Sequence, residues 1–146
     1  MTEKILKVAL VITRMDRGGA PDIIRGLFEY LKARGNYDLT LITGPTVFPS
    51  KEIEVFMKSR KDHIRVISEL KRDPHPVSDV TALIKLFSLF KEERFDIVHT
   101  HTAKAGFIGR IAARLAGARI VMHTPHGHNF YGYFGSIGSF MVVFLE

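Results

Sequence analysis

The chain has 146 residues, 46% of them apolar and 25% charged, which is ordinary for one globular domain with a full core. It contains no cysteine, so disulfides and thiolate metal sites are excluded. The net charge of +6 points to anionic partners, but the basic residues are scattered and no Trp joins them, which favours a phosphate-bearing ligand or a merely solvated basic surface over nucleic acid.

Apolar runs of strand length alternate with amphipathic segments of helix length. Ile5 to Thr13 is continuously apolar, as expected of a strand buried on both faces. Gly18-Gly19 follows; Pro21 suits a first helical position, and Ile23, Ile24, Leu27, Phe28 and Leu31 recur at helical spacing up to a stop at Gly35. Tyr37 to Thr43 reads as a second strand, Lys51 to Arg60 as a short helix and Ile64 to Ile67 as a third strand. Asp73-Pro74-His75-Pro76 interrupts the pattern, and Ser78 is placed to cap a helix carrying Val80, Leu83, Ile84, Phe87 and Phe90. Asp96 to Thr100 reads as a fourth strand, and Thr102 is placed to cap a helix that ends at Gly117. Arg119 to Thr124 reads as a fifth strand, and a last helix begins near Ser136.

Five successive β/α units predict a doubly wound, Rossmann-like parallel sheet of order 3-2-1-4-5 within a single α/β domain covering residues 1–146. That order places the topological switch, where ligands bind in such folds, between strands one and four. The loop with Gly18-Gly19 and the loop with His101, Thr102 and Lys104 would then face one crevice. Gly-Gly before a helix lets backbone amides approach an anion, although the stretch is neither GxGxxG nor a P-loop, and a simple tight turn is the plain reading.

Five of the seven histidines fall between His99 and His128, each near the end of a predicted strand. His99 and His101 share a face by strand spacing. An HxH pair can open a metal site, but no Asp or Glu lies between Thr100 and Phe144, so a hydrogen-bonded structural role for His99 is favoured and no metal is assigned. Ala103, Ala105, Gly106 and Gly109 allow close helix-on-sheet packing, whereas Lys104 in the first turn opposes the helix dipole and is read either as facing solvent or as meeting an anion. Pro125 and Gly127 flank His126, and a neutral ring there can accept a hydrogen bond from a sugar hydroxyl or act in proton transfer.

The run from Asp96 to Arg110, DIVHTHTAKAGFIGR, with His123 to His128, HTPHGH, resembles the N-terminal domain of family-four retaining glycosyltransferases of the GT-B fold, of the kind that build capsular and exopolysaccharides. Arg14 to Ala20 is similar to the Gly-Gly segment of that family's first loop. The resemblance implies a transferase that uses a nucleotide-sugar donor, UDP-linked, and a glycan or lipid-linked acceptor, with no cofactor. It implies donor diphosphate contacts at Gly18 and Gly19, a catalytic contact to the donor sugar at His126, and an acceptor-side cleft lined by His101, Thr102 and Lys104. Pro21-Asp22 departs from the family, which often has Glu or Gln soon after the Gly-Gly pair.

The chain reads as the acceptor-side half of such an enzyme, in the cytoplasm or peripheral to the inner face of the membrane, with the donor-binding half elsewhere and the fragment inactive alone. Phe140 to Leu145 forms an apolar run, too short for a membrane span, that is expected to seek cover on its own domain or in self-association. A nucleotide-sugar epimerase of the same fold and a non-catalytic ligand-binding domain are the alternative readings.

Overall fold

The computed structural model describes residues 4–126. Among them, strands and helices alternate as β1 (Leu6–Ile12), α1 (Gly19–Arg34), β2 (Tyr37–Thr43), α2 (Lys51–Ser59), β3 (Ile64–Val66), α3 (Pro76–Glu93), β4 (Ile97–His101), α4 (Ala103–Ala116) and β5 (Ile120–Thr124), with one 3-10 turn at Lys61–His63. Every strand pairing is parallel, and the sheet order is β3-β2-β1-β4-β5, as the alternation predicts. The helix expected near Ser136, the apolar run 140–145, Gly127 and His128 lie outside the described residues.

The two-residue period of the strands divides the core into two layers. Ala9, Val11, Ile42 and Val98 pack against Leu86 and Phe90 of α3 and Ala105, Ile108 and Ala112 of α4. Val8, Leu10, Ile12, Leu39 and Leu41 face the other way, against Ile24 and Phe28 of α1 and Ile53 and Phe56 of α2. The central strand β1 is therefore buried on both sides, which explains its unbroken apolar run.

Helix ends follow local chemistry. Gly35 and Gly117 take left-handed conformations that close α1 and α4. The Ser50 hydroxyl accepts from Ile53 N at 3.3 Å and starts α2. Two expected starts are corrected. Helix α1 begins at Gly19, so Pro21 is its third residue rather than its first; a first-turn proline still loses no intrahelical bond. Helix α3 begins at Pro76, and its cap is His75, whose Nδ1 accepts from Ser78 N at 3.3 Å. Ser78 thus supplies the amide that is capped and is not itself the cap, because Pro76 fits the first helical position.

Gly106 and Gly109 bring α4 down onto the sheet. A Cβ at Gly106 would stand 2.2 Å from Cε1 of His123, and one at Gly109 would stand 2.8 Å from Cγ2 of Thr100. Close approach of this helix fixes the β4 and β5 strand ends, where the candidate site lies. No helix among the described residues is long and apolar enough to cross a membrane.

Candidate functional site

Strand β4 carries Val98 and Thr100 toward α4, so His99 and His101 point to the opposite face of the sheet. Their rings lie 4.1 Å apart between centroids, tilted by 38°. The register pairs His101 with Thr124 of β5, and His99 Nε2 lies 2.8 Å from the Thr124 hydroxyl, which gives His99 the structural bond its position suggests. Two residues beyond Thr124, His126 returns to the row: its Nε2 is 2.8 Å from Nδ1 of His101, with ring centroids 5.0 Å apart.

His123 belongs to the other face. Its Nδ1 lies 3.0 Å from the Thr100 hydroxyl and 3.2 Å from the Thr100 carbonyl, and its ring covers Gly106. The four described histidines of the cluster therefore divide by strand parity. His99, His101 and His126 form one row at the C-terminal rim, and His123 braces α4.

The row is held uncharged. Burial pushes His101 down to about 3, with the neighbouring histidines acting in the same direction. Burial also lowers His99 and His126. His101 is 1% exposed, and its Nε2 has no hydrogen-bond partner among the described residues. Among those residues no cluster of three or more histidine or carboxylate groups is placed to hold a metal ion. The row's chemistry is that of neutral rings exchanging hydrogen bonds.

In a parallel sheet every β-to-α loop leaves by the same rim, so the β1–α1 and β4–α4 loops, on adjacent strands, lie side by side. They touch where the hydroxyls of Thr13 and Thr102 come within 3.4 Å. Gly18 and Gly19 stand exposed at the head of α1, and a Cβ at Gly19 would meet nothing within 4 Å. Packing does not require glycine there. The first amides of a helix have no intrahelical acceptor, which leaves those of Gly19 and Ala20 for an anion or water.

Two site expectations need correction. Thr102 occupies the cap position of α4, but its side chain caps no helix amide; its backbone takes φ 67° and ψ 154°, a region that strongly disfavours a β-branched residue. Lys104 is half-buried and already ion-paired within the chain, so it is not the simple solvent-facing lysine of the plain reading. Its ammonium lies 2.5 Å from an Asp79 carboxylate oxygen and donates to the Asp73 carbonyl, so a carboxylate from α3 offsets the unfavourable helix dipole.

Sequence reasoning missed Asp16. It is 7% exposed, and its Oδ1 accepts from Val47 N at 2.7 Å and Phe48 N at 2.8 Å while its Oδ2 pairs with Arg14 at 3.2 Å. Thr46 accepts from Met15 N, and Arg17 N donates to the Phe48 carbonyl at 2.9 Å. The loops after β1 and β2 are thereby laced together beside the Gly-Gly pair. An Asp in a loop commonly bonds backbone amides, but its partners here lie 31 and 32 residues away, and nothing local in the sequence names them.

The sequence profile of the glycosyl transferase 4-like domain matches residues 18–146. The chain belongs to this family. The Escherichia coli UDP-Gal:alpha-D-GlcNAc-diphosphoundecaprenol alpha-1,3-galactosyltransferase is 50% identical to this glycosyl transferase 4-like domain over 64 residues, 44% of the chain and 16% of that protein. The Staphylococcus aureus capsular polysaccharide biosynthesis glycosyltransferase CapM is 32% identical over 105 residues, 72% of the chain and 25% of that protein. The matched segments thus span a quarter or less of those relatives. Among solved structures, a UDP-N-acetylglucosamine 2-epimerase superposes with a TM-score of 0.60 at 20% identity, covering 97% of this chain and 40% of that one. At that identity the likeness concerns the fold alone, which is GT-B Rossmann-like.

Proposed function

We propose that this domain is the acceptor-side half of a glycosyltransferase that moves a sugar from a UDP-linked donor to a glycan or lipid-linked acceptor in surface polysaccharide synthesis, with retention of configuration. The observation that carries the reading is the family match over residues 18–146 combined with a neutral histidine row at the C-terminal rim. The E. coli relative's name specifies a UDP-galactose donor and a diphosphoundecaprenol-linked acceptor, and the S. aureus relative's name specifies capsular polysaccharide.

In this reading the α1 amides beside Gly18 and Gly19 bind the donor diphosphate, where fixed N–H dipoles stabilise the negative charge that grows as the sugar departs. His126 contacts the donor sugar. His101 and Thr102 line the cleft, and Lys104 serves the cleft indirectly by pinning α4 to α3. The donor-binding domain belongs to the remainder of the parent protein, which works on the cytoplasmic side of the membrane and meets the lipid-linked acceptor at its surface.

The test is made on the parent protein with UDP-sugars, with and without a lipid-linked acceptor, following the anomeric configuration by NMR. Donor consumption should require acceptor and should preserve the configuration. Epimerisation of the sugar without acceptor would assign the epimerase reading instead. This 146-residue chain alone should transfer nothing.

A further inference from the structure

Two ring nitrogens 2.8 Å apart, His101 Nδ1 and His126 Nε2, need one proton between them. Which ring supplies it decides what His126 can offer a ligand. If His126 donates through Nε2–H, His101 must accept at Nδ1 and carry its own proton on Nε2. That nitrogen is buried without a partner among the described residues, so the arrangement would bury an orphan N–H. If His101 donates through Nδ1–H, its Nε2 is left only with an unused lone pair. An orphan buried donor is the rarer and more costly outcome. A doubly protonated His101 is excluded by burial, which pushes it down to about 3.

We propose that His101 is a positioning residue that locks His126 into the Nδ1–H tautomer, so that His126 meets its ligand as a hydrogen-bond donor. His101 is itself fixed on its other side by the ring of His99, 4.1 Å away, which is tied in turn to Thr124. The lock therefore runs from the β4–β5 pairing through two rings to the rim. With Nε2 occupied, His126 cannot accept there, and no described residue bonds its Nδ1. The ligand class that fits is a neutral hydroxyl or ring oxygen able to accept from N–H. This replaces the sequence expectation of a ring that accepts from a sugar hydroxyl or moves a proton with that of a ring that donates. The assignment of the ligand as the donor sugar rests on the proposed function; the tautomer itself does not.

The experiment is proton–nitrogen two-bond correlation NMR of the nitrogen-labelled full chain above neutral pH, without substrate, on wild type, His101→Phe and His101→Asn. Wild-type His126 should show a protonated Nδ1 and a bare Nε2. His101→Phe should lose that pattern in favour of Nε2–H. His101→Asn, whose side-chain amide can donate in place of the ring, should restore it. An Nε2–H pattern for His126 in wild type overturns the proposal, as does an unchanged pattern in a folded His101→Phe chain. Should His101→Phe unfold, wild type and His101→Asn decide between them: Nδ1–H in both supports the lock, and Nε2–H in either overturns it. Because the readout needs no turnover, an inactive parent protein would leave it standing, and a failed lock would leave the transfer reading standing.

Discussion

A Cβ at Gly106 would lie 2.2 Å from Cε1 of His123, a ring already held by the Thr100 hydroxyl and carbonyl. The ring cannot swing aside without losing those bonds. Gly106→Ala should therefore destabilise by about 1–3 kcal/mol through overpacking, more than the roughly 1 kcal/mol that alanine gains in a helix. Gly26→Ala is the control of opposite sign: a Cβ there meets nothing within 4 Å, and stability should rise by up to about 1 kcal/mol. Melting curves separate the two, since each kcal/mol moves Tm by about 2–8 °C at this chain length.

The histidine row makes stability depend on pH. An unfolded histidine titrates near 6.5, whereas His101 is held at about 3. Below pH 6.5 the unfolded chain therefore binds more protons than the folded one, and acid favours unfolding. The contribution is complete above 6.5 and is lost as pH falls toward the folded value, by about 1.4 kcal/mol per pH unit for a fully shielded ring. His99 and His126 act with the same sign. Urea titrations between about pH 5 and 6.5, above the range of most carboxylates, should show the slope, and His101→Phe should flatten it.

Thr102 holds a backbone conformation suited to glycine, with φ 67° and ψ 154°. Thr102→Gly should relieve roughly 1–3 kcal/mol of strain, partly offset by loss of the Thr13 hydroxyl contact. Thr102→Ala loses the contact and keeps the strain, so it should be less stable than wild type. Denaturant midpoints of the two variants that moved the same way would contradict this account.

Asp16 can be tested without a substrate. Asp16→Ala should release the amides of Val47 and Phe48 and raise their hydrogen-exchange rates, with a global cost of about 1–3 kcal/mol. Asp16→Asn keeps an oxygen at Oδ1 and loses chiefly the pairing with Arg14, so its effect should be smaller. Equal protection of both amides in Asp16→Ala and wild type would show that the loop holds itself.

Under the proposed function, His126→Ala in the full-length protein should lower kcat by roughly 10²–10³ while raising the donor KM far less, as expected for a hydrogen bond made mainly in the transition state. Its stability should fall by about 1–3 kcal/mol, because the buried His101 Nδ1–H loses its acceptor although the His126 ring supports no core cluster. Steady-state kinetics with a melting curve distinguish lost chemistry from lost folding.

The order of strands was legible because each element carries its own punctuation. Tyr37 to Thr43 matches its strand from end to end, and Gly35 and Gly117 stop their helices where expected. The rim was legible in part. HxH spacing correctly placed His99 and His101 on one face, because strand parity is local. The bond from His101 to His126 crosses 25 residues and depends on how the chain turns after β5. The partner of Lys104 was hidden for a similar reason: Asp79 reaches it only because α3 and α4 pack side by side. His75 was hidden by its Pro-flanked run, which looked like a break and proved to be the start of α3.

Lacing of the first two loops has a bearing on association that goes beyond stability. Val47 and Phe48 are 63% and 76% exposed, yet their amides are already tied down by Asp16. A flexible tip loses backbone entropy when it is captured, on the order of 1–2 kcal/mol for each residue frozen. Here that ordering is completed during folding. An encounter at this apolar tip would be governed by the surface that Phe48 covers, with little delay or penalty from arranging the loop that presents it.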